Sequence, residues 1–167
     1  MILVILVIAA FALFLVAVLG QQSLRRRVWI AVLGVLLIAS AFAIAANDAS
    51  RFGMTTKVIT QTTEIVGAAD HTILTSPIGT DKQNLAVVYR QNPLSKKVSV
   101  AKPDINTVVK LHRTDSRLGQ VTIKRTELRY KDTFAAFLFA GSGQNGQTLN
   151  TTYDFAIPQS WRVSERK

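Results

Sequence analysis

The sequence predicts a membrane-anchored all-β protein: an N-terminal transmembrane helical hairpin followed by an extracytoplasmic β-sandwich-like domain. Three observations carry that expectation. Met1 to Ala46 holds 37 apolar residues in 46 positions, while the remaining 121 residues hold only 44. Charge runs the other way: the first 46 residues carry Arg25, Arg26 and Arg27 and no acid, whereas the rest carries 17 basic and 10 acidic residues, +7 of the total +10. Sixteen threonines fall between Thr55 and Thr152, and valine and isoleucine outnumber leucine there, the composition of a pleated, half-buried surface. A chain this lopsided cannot bury its first quarter in water, so a single soluble globule is excluded. Without cysteine, disulfides, thiolate metal sites and thiol nucleophiles are excluded as well.

Residues 1–46 are read as the hairpin. Ile2 to Leu19 is an unbroken run of 18 apolar residues, and Val28 to Ala46 is a second run of 19 broken only by Gly34 and Ser40. As helices they would be roughly 27–29 Å long, just spanning a hydrocarbon core of about 30 Å. The link, residues 20–27, forces the two helices antiparallel. Gly20 stands at the expected C-cap, and Trp29 is placed for the headgroup belt. Arg25, Arg26 and Arg27 lie in the only short loop, where they act as a topology signal. Short basic loops stay cytoplasmic and long domains translocate largely regardless of charge, so both termini and the main domain are expected outside. Arg25–Arg27, the apolar stretch and Ala41-Phe42-Ala43 also resemble a cleaved signal. The apolar run is long for a signal, and cleavage would leave the first helix without its partner, so retention is expected.

Residues 47–57 read as a polar linker containing Gly53, residues 58–163 as the β domain and residues 164–167 as a charged tail. Strands are expected at Val58–Val66, His71–Thr75, Leu85–Gln91, Val98–Ala101, Thr107–Arg113, Gln120–Tyr130, Thr133–Ala140 and Leu149–Ile157, spaced as in a sandwich or barrel. Thr133–Ala140 is apolar on both faces and is expected as a central strand. Tyr153, Phe155 and Ile157 alternate with Asp154 and Ala156, and Pro158 ends that strand.

Chemical motifs are thin. Gly141-Ser142-Gly143-Gln144-Asn145-Gly146 matches G-x-G-x-x-G formally, but no helix start follows, so the glycines are expected to serve a turn rather than a nucleotide, and no cofactor is predicted. His71 and His112 have no carboxylate or second His at ligand spacing in their own strands, and the carboxylates Asp70, Asp81, Asp104, Asp115, Glu127 and Asp132 stand singly, so no metal is expected. Ser95 beside Lys96 or Lys97 reads as a solvated turn rather than a hydrolytic dyad. Gln120 to Lys131 is the most basic stretch, and Lys124, Arg125, Arg129 and Lys131 are the expected contacts for an anionic partner. Alternation would place Lys124 on the opposite face from the other three, so a bulge or turn near Arg125 is part of that expectation. An extracytoplasmic position disfavours nucleic acid and favours anionic wall polymer, lipid headgroups or an acidic protein surface, with simple solubility as the alternative reading of the charge.

The helix pair with its basic turn, the Thr-rich domain, Phe137-Leu138-Phe139-Ala140-Gly141-Ser142-Gly143 and the closing Tyr153-Asp154-Phe155-Ala156-Ile157-Pro158-Gln159-Ser160-Trp161 resemble an uncharacterised family, a domain of unknown function, of small two-helix membrane proteins from lactic-acid bacteria. The resemblance implies a Gram-positive envelope and work beside a multidrug-type membrane transporter; it supplies no functional residues. The expected function is therefore that of a non-enzymatic, membrane-anchored accessory or interaction protein. The alternative is an extracytoplasmic, hydrolase-like enzyme whose site is assembled from scattered polar residues.

Overall fold

In the computed structural model, which describes residues 1–68, 71–79, 84–92, 94 and 97–165, the chain forms two units. A helical unit comprises Met1–Thr56 and Leu128–Gln147, and a sheet unit comprises Lys57–Glu127 and Thr148 onward. Expectations that fell on Asp70, Asp81, Ser95 and Lys96 lie outside the described residues.

Long apolar runs without proline make helices α1 (Ile2–Leu19) and α2 (Leu24–Ser50), the second tolerating Gly34 in its interior. They run antiparallel: the Arg26 side chain in the first turn of α2 reaches the last carbonyls of α1, while Ile2 packs with Ala43 and Ile44 near the far end of α2. Both are long and apolar enough to cross a membrane. Their outward side chains are bare, with Phe11 63% and Phe42 74% exposed. The connection is shorter than expected, because α2 starts at Leu24 and takes the three arginines into its first turn. Ser23 sets that start, its hydroxyl accepting the Arg26 amide at 3.3 Å. Nor do residues 47–50 form a linker. α2 continues to Ser50, whose hydroxyl donates to the Ala46 carbonyl, and buried Asn47 holds the exit by donating to the Phe52 carbonyl at 2.7 Å. Arg51 then turns left-handed, with φ 57°, and β1 (Met54–Gly67) begins.

The remaining strands are β2 (Thr72–Pro77), β3 (Leu85–Arg90), β4 (Ser99–Ala101), β5 (Thr107–Thr114), β6 (Gly119–Tyr130), β7 (Thr148–Pro158) and β8 (Arg162–Glu165). They join in one curled mixed sheet, order β5-β7-β6-β1-β3-β2-β8, with β4 also on β3. β5 pairs with β7 in parallel from Thr107↔Thr151 to Thr114↔Pro158, and β8 pairs with β2 in parallel. The expected charged tail is therefore partly strand: Ser164 and Glu165 pair with Leu74 and Thr75. The turn that returns the chain to β2 is fixed by Arg113, whose guanidinium donates to the Pro158 and Trp161 carbonyls at 2.9 and 2.6 Å.

The core of the sheet unit gathers the inward positions of both halves of that sheet. Phe155, Ile73, Ile157, Val87 and Val121 are fully enclosed, and the Tyr89 ring of β3 meets Phe155 of β7 edge-on at 5.1 Å. Burial of each such side chain contributes about 1.5–3 kcal/mol. Trp161 closes one end. Its ring lies over Gly119, where a Cβ would stand 2.7 Å from the indole, and it meets His71 edge-on at 6.2 Å.

Thr133–Ala140 is not the expected central strand. It is helix α3 (Thr133–Phe139), started by Asp132, whose carboxylate accepts the Ala135 amide at 2.7 Å. Its residues are apolar on two sides because Ala135 and Phe139 pack with Ile2, Ala43 and Ile44, while Phe134 and Phe137 are left exposed.

Burial pushes the Tyr89 hydroxyl above its ordinary pKa, and nearby Tyr153 adds to the rise; a hydrogen bond with Gln91 and the charge of Arg125 partly offset it. The folded state therefore holds the Tyr89 proton more tightly than the unfolded chain does. The stability linked to it is complete below pH about 10 and is lost as pH rises through the raised value. Tyr89→Phe should accordingly flatten the alkaline arm of the unfolding profile measured by circular dichroism. An unchanged arm would remove Tyr89 as its cause.

Candidate functional site

Of the three arginines, Arg26 has a structural task. Its Nε donates to the Val16 carbonyl at 3.3 Å, which also accepts the Gly20 amide, and its Nη2 donates to the Ala17 carbonyl at 2.6 Å, so a cation sits on the negative end of the α1 dipole. Arg25 and Arg27 are exposed. A basic triplet beside an apolar run is conspicuous in sequence, but the reach of its middle member back over α1 is not.

The four cations proposed as anionic contacts divide between the units. Lys124 and Arg125, opposite Thr152 and Thr151 on β7, are exposed residues of the sheet unit. Arg129, half-buried, and Lys131, exposed, belong to the helical unit. The pairing of β6 with β7 is irregular between Thr126 and Glu127, where the partner steps from Asn150 to Thr148. Around that step the buried positions change parity, from Val121 and Ile123 to Leu128.

The sheet brings together a pair that sequence spacing did not reveal. His112 Nδ1 lies 3.0 Å from Asp154 Oδ1, joining β5 to β7 as an ion pair when the imidazole is protonated. The parallel register sets Lys110 opposite Asp154, and β6 sets Thr122 opposite it on the other side. Thr122 shares a hydroxyl contact of 3.1 Å with Thr62. His112 is 55% exposed, so the pair stands on an open strand face. No group of three metal-ligating side chains occurs among the described residues. The glycine-rich segment follows α3 and leads into β7; Gly143 and Gly146 have φ of 70° and 85°, as turn glycines do.

In the helical unit an apolar groove of about 390 Å³ runs between the Arg51–Met54 turn and α3. Phe52, Phe134, Leu138 and Phe139 line it, and Arg51, Lys131 and Asp132 stand at its polar rim. Gly53, with φ 80°, lets the turn approach so closely that a Cβ there would meet Phe139 at 2.7 Å. The turn is tied to the segment before α3 by the Lys131 amide, which donates to the Gly53 carbonyl at 3.0 Å.

A family model described as domain of unknown function (DUF4811) matches residues 22–166. The chain belongs to the DUF4811 family. The match takes in α2, α3 and all eight strands of this DUF4811 protein, together with the His112–Asp154 pair and the groove, and begins after α1. Neither the curated proteins nor the solved structures contain a match to it.

Proposed function

We propose that this DUF4811 protein is a non-enzymatic accessory or interaction protein of a Gram-positive cell envelope, working beside a membrane transporter. α1 and α2 cross the bilayer as a hairpin, the arginine turn stays in the cytoplasm, and the sheet unit, with a sandwich-like core, is displayed outside. The observation that supports this best is the bare apolar surface of α1 and α2, which water would not tolerate and lipid requires. α1 is about 27 Å long by its rise per residue, matching the hydrocarbon core. The basic character of the outer residues suits anionic wall polymer or lipid headgroups.

The full chain in neutral-lipid vesicles is expected to bind a teichoic-acid-type polymer at low salt and to release it at high salt. Replacing Lys124, Arg125, Arg129 and Lys131 with Gln should remove most of that binding, as each cation contributes roughly 1 kcal/mol near an anionic surface and the attraction fades within a Debye length. Undiminished binding by the quadruple variant would assign the charge to solubility instead.

A second reading, an envelope hydrolase, is favoured by the approach of Asp154 Oδ1 to within 3.0 Å of His112 Nδ1, since an imidazole beside a carboxylate is the starting point of a general-base arrangement. Loss of a measurable ester or amide hydrolysis in His112→Gln would support it. Retention of that hydrolysis, or none in the parent protein, would end it.

A further inference from the structure

We propose that the groove between α3 and the Arg51–Met54 turn binds an anionic phospholipid, an acyl chain lying against Phe52, Phe134 and Leu138 and the phosphate between Arg51 and Lys131. This rests on the membrane reading above and extends it to a defined lipid site. The level of α3 is the first argument. The Met1 nitrogen donates to the Leu138 carbonyl at 2.9 Å, and Ile2 packs on Ala135 and Phe139, so α3 lies where α1 begins. That is one α1 length from the arginine turn, about 27 Å, which puts α3 at the opposite boundary of a hydrocarbon core of about 30 Å.

The second argument is the surface that α3 presents. Phe134 and Phe137, three residues apart and hence on one helix face, are 71% and 56% exposed, and Phe52 is 58% exposed. This apolar surface continues that of the spans, where Leu3 is 60% exposed. Aromatic side chains on a short helix at this depth have the character of an interfacial segment. The third argument is charge. Arg51 and Lys131 are exposed cations on the groove's rim. The carboxylate there, Asp132, is turned to the Ala135 amide as the α3 cap and keeps its charge, so the two cations leave the rim net positive. Lipid is the occupant that supplies both an apolar chain and an anionic head at this boundary.

The test uses the full chain in proteoliposomes. Because the sequence has no cysteine, Phe137→Cys and, separately, Phe134→Cys accept an environment-sensitive fluorophore, with Phe11→Cys as the control in mid-span. Nitroxide lipids labelled near the glycerol should quench the α3 positions strongly, and lipids labelled deep in the chain should quench Phe11. Spin-labelled phosphatidylglycerol should be retained over phosphatidylcholine, and Arg51→Gln with Lys131→Gln should lower that preference by roughly fivefold per charge removed. Quenching at Phe11 but at neither α3 position would overturn the lipid site while leaving the hairpin intact. Quenching at none of the three would overturn both. An unchanged preference for phosphatidylglycerol in the double variant would remove the headgroup assignment.

Discussion

Phe155→Ala is expected to lower the stability of the sheet unit by about 3–5 kcal/mol, the range for truncating a fully enclosed aromatic. Phe155 has no exposed surface, meets Tyr89 edge-on at 5.1 Å and stacks on Tyr153 at 6.4 Å. It occupies the middle of β7, paired to β5 on one side and β6 on the other, so its removal leaves a cavity at the centre of the core. Against a total of about 5–15 kcal/mol for a native domain, the loss should be visible as a large fall in the denaturation midpoint followed by β-sheet circular dichroism. A change below about 0.5 kcal/mol, the scale of an exposed substitution, would mean that the core is not centred on β7.

The second large effect concerns Trp161 and Gly119. A methyl group at Gly119 would stand 2.7 Å from the Trp161 ring, and that ring is 6% exposed and backed by His71. Gly119→Ala should therefore cost about 1–3 kcal/mol by overpacking. In a Trp161→Phe background the smaller ring leaves room for the methyl, so the same substitution should cost at least about 1 kcal/mol less. The double-mutant cycle measures this coupling directly. Additive losses would show that the ring does not press on the glycine.

Most strands were legible because threonine, valine and isoleucine runs bounded by turn residues identify themselves locally; Leu85–Arg90 and Thr107–Thr114 fall within one residue of the expected bounds. What failed depends on information that lies outside the segment. Phe134 to Ala140 has neither a period of two nor one of 3.6, and its helical state is decided by the Asp132 cap and by packing on Ile2, Ala43 and Ile44. An Asp-Thr pair just before an apolar run was the signal that could have found it. β8 was hidden for a similar reason. Ser164 and Glu165 have no strand character of their own and are held by parallel pairing to β2.

The candidate sites were less legible than the fold. His112 and Asp154 meet through the parallel β5–β7 register, which no local pattern encodes. The groove needs α3, Arg51 and Lys131 at once, and only Lys131 was among the residues singled out by charge. The arginine triplet was conspicuous, yet the use of Arg26 as a cap on α1 followed from hairpin geometry rather than composition.

The central claim is that α1 and α2 span the membrane with the arginine turn inside and the opposite end outside. Ser23, at the turn, and Ser142, after α3, are both exposed in a chain that carries no cysteine, so each accepts a single reporter thiol without background. In intact cells an impermeant thiol reagent is expected to label Ser142→Cys at once and Ser23→Cys only after permeabilisation. Labelling of Ser23→Cys in intact cells, with Ser142→Cys protected until the membrane is opened, would contradict the account.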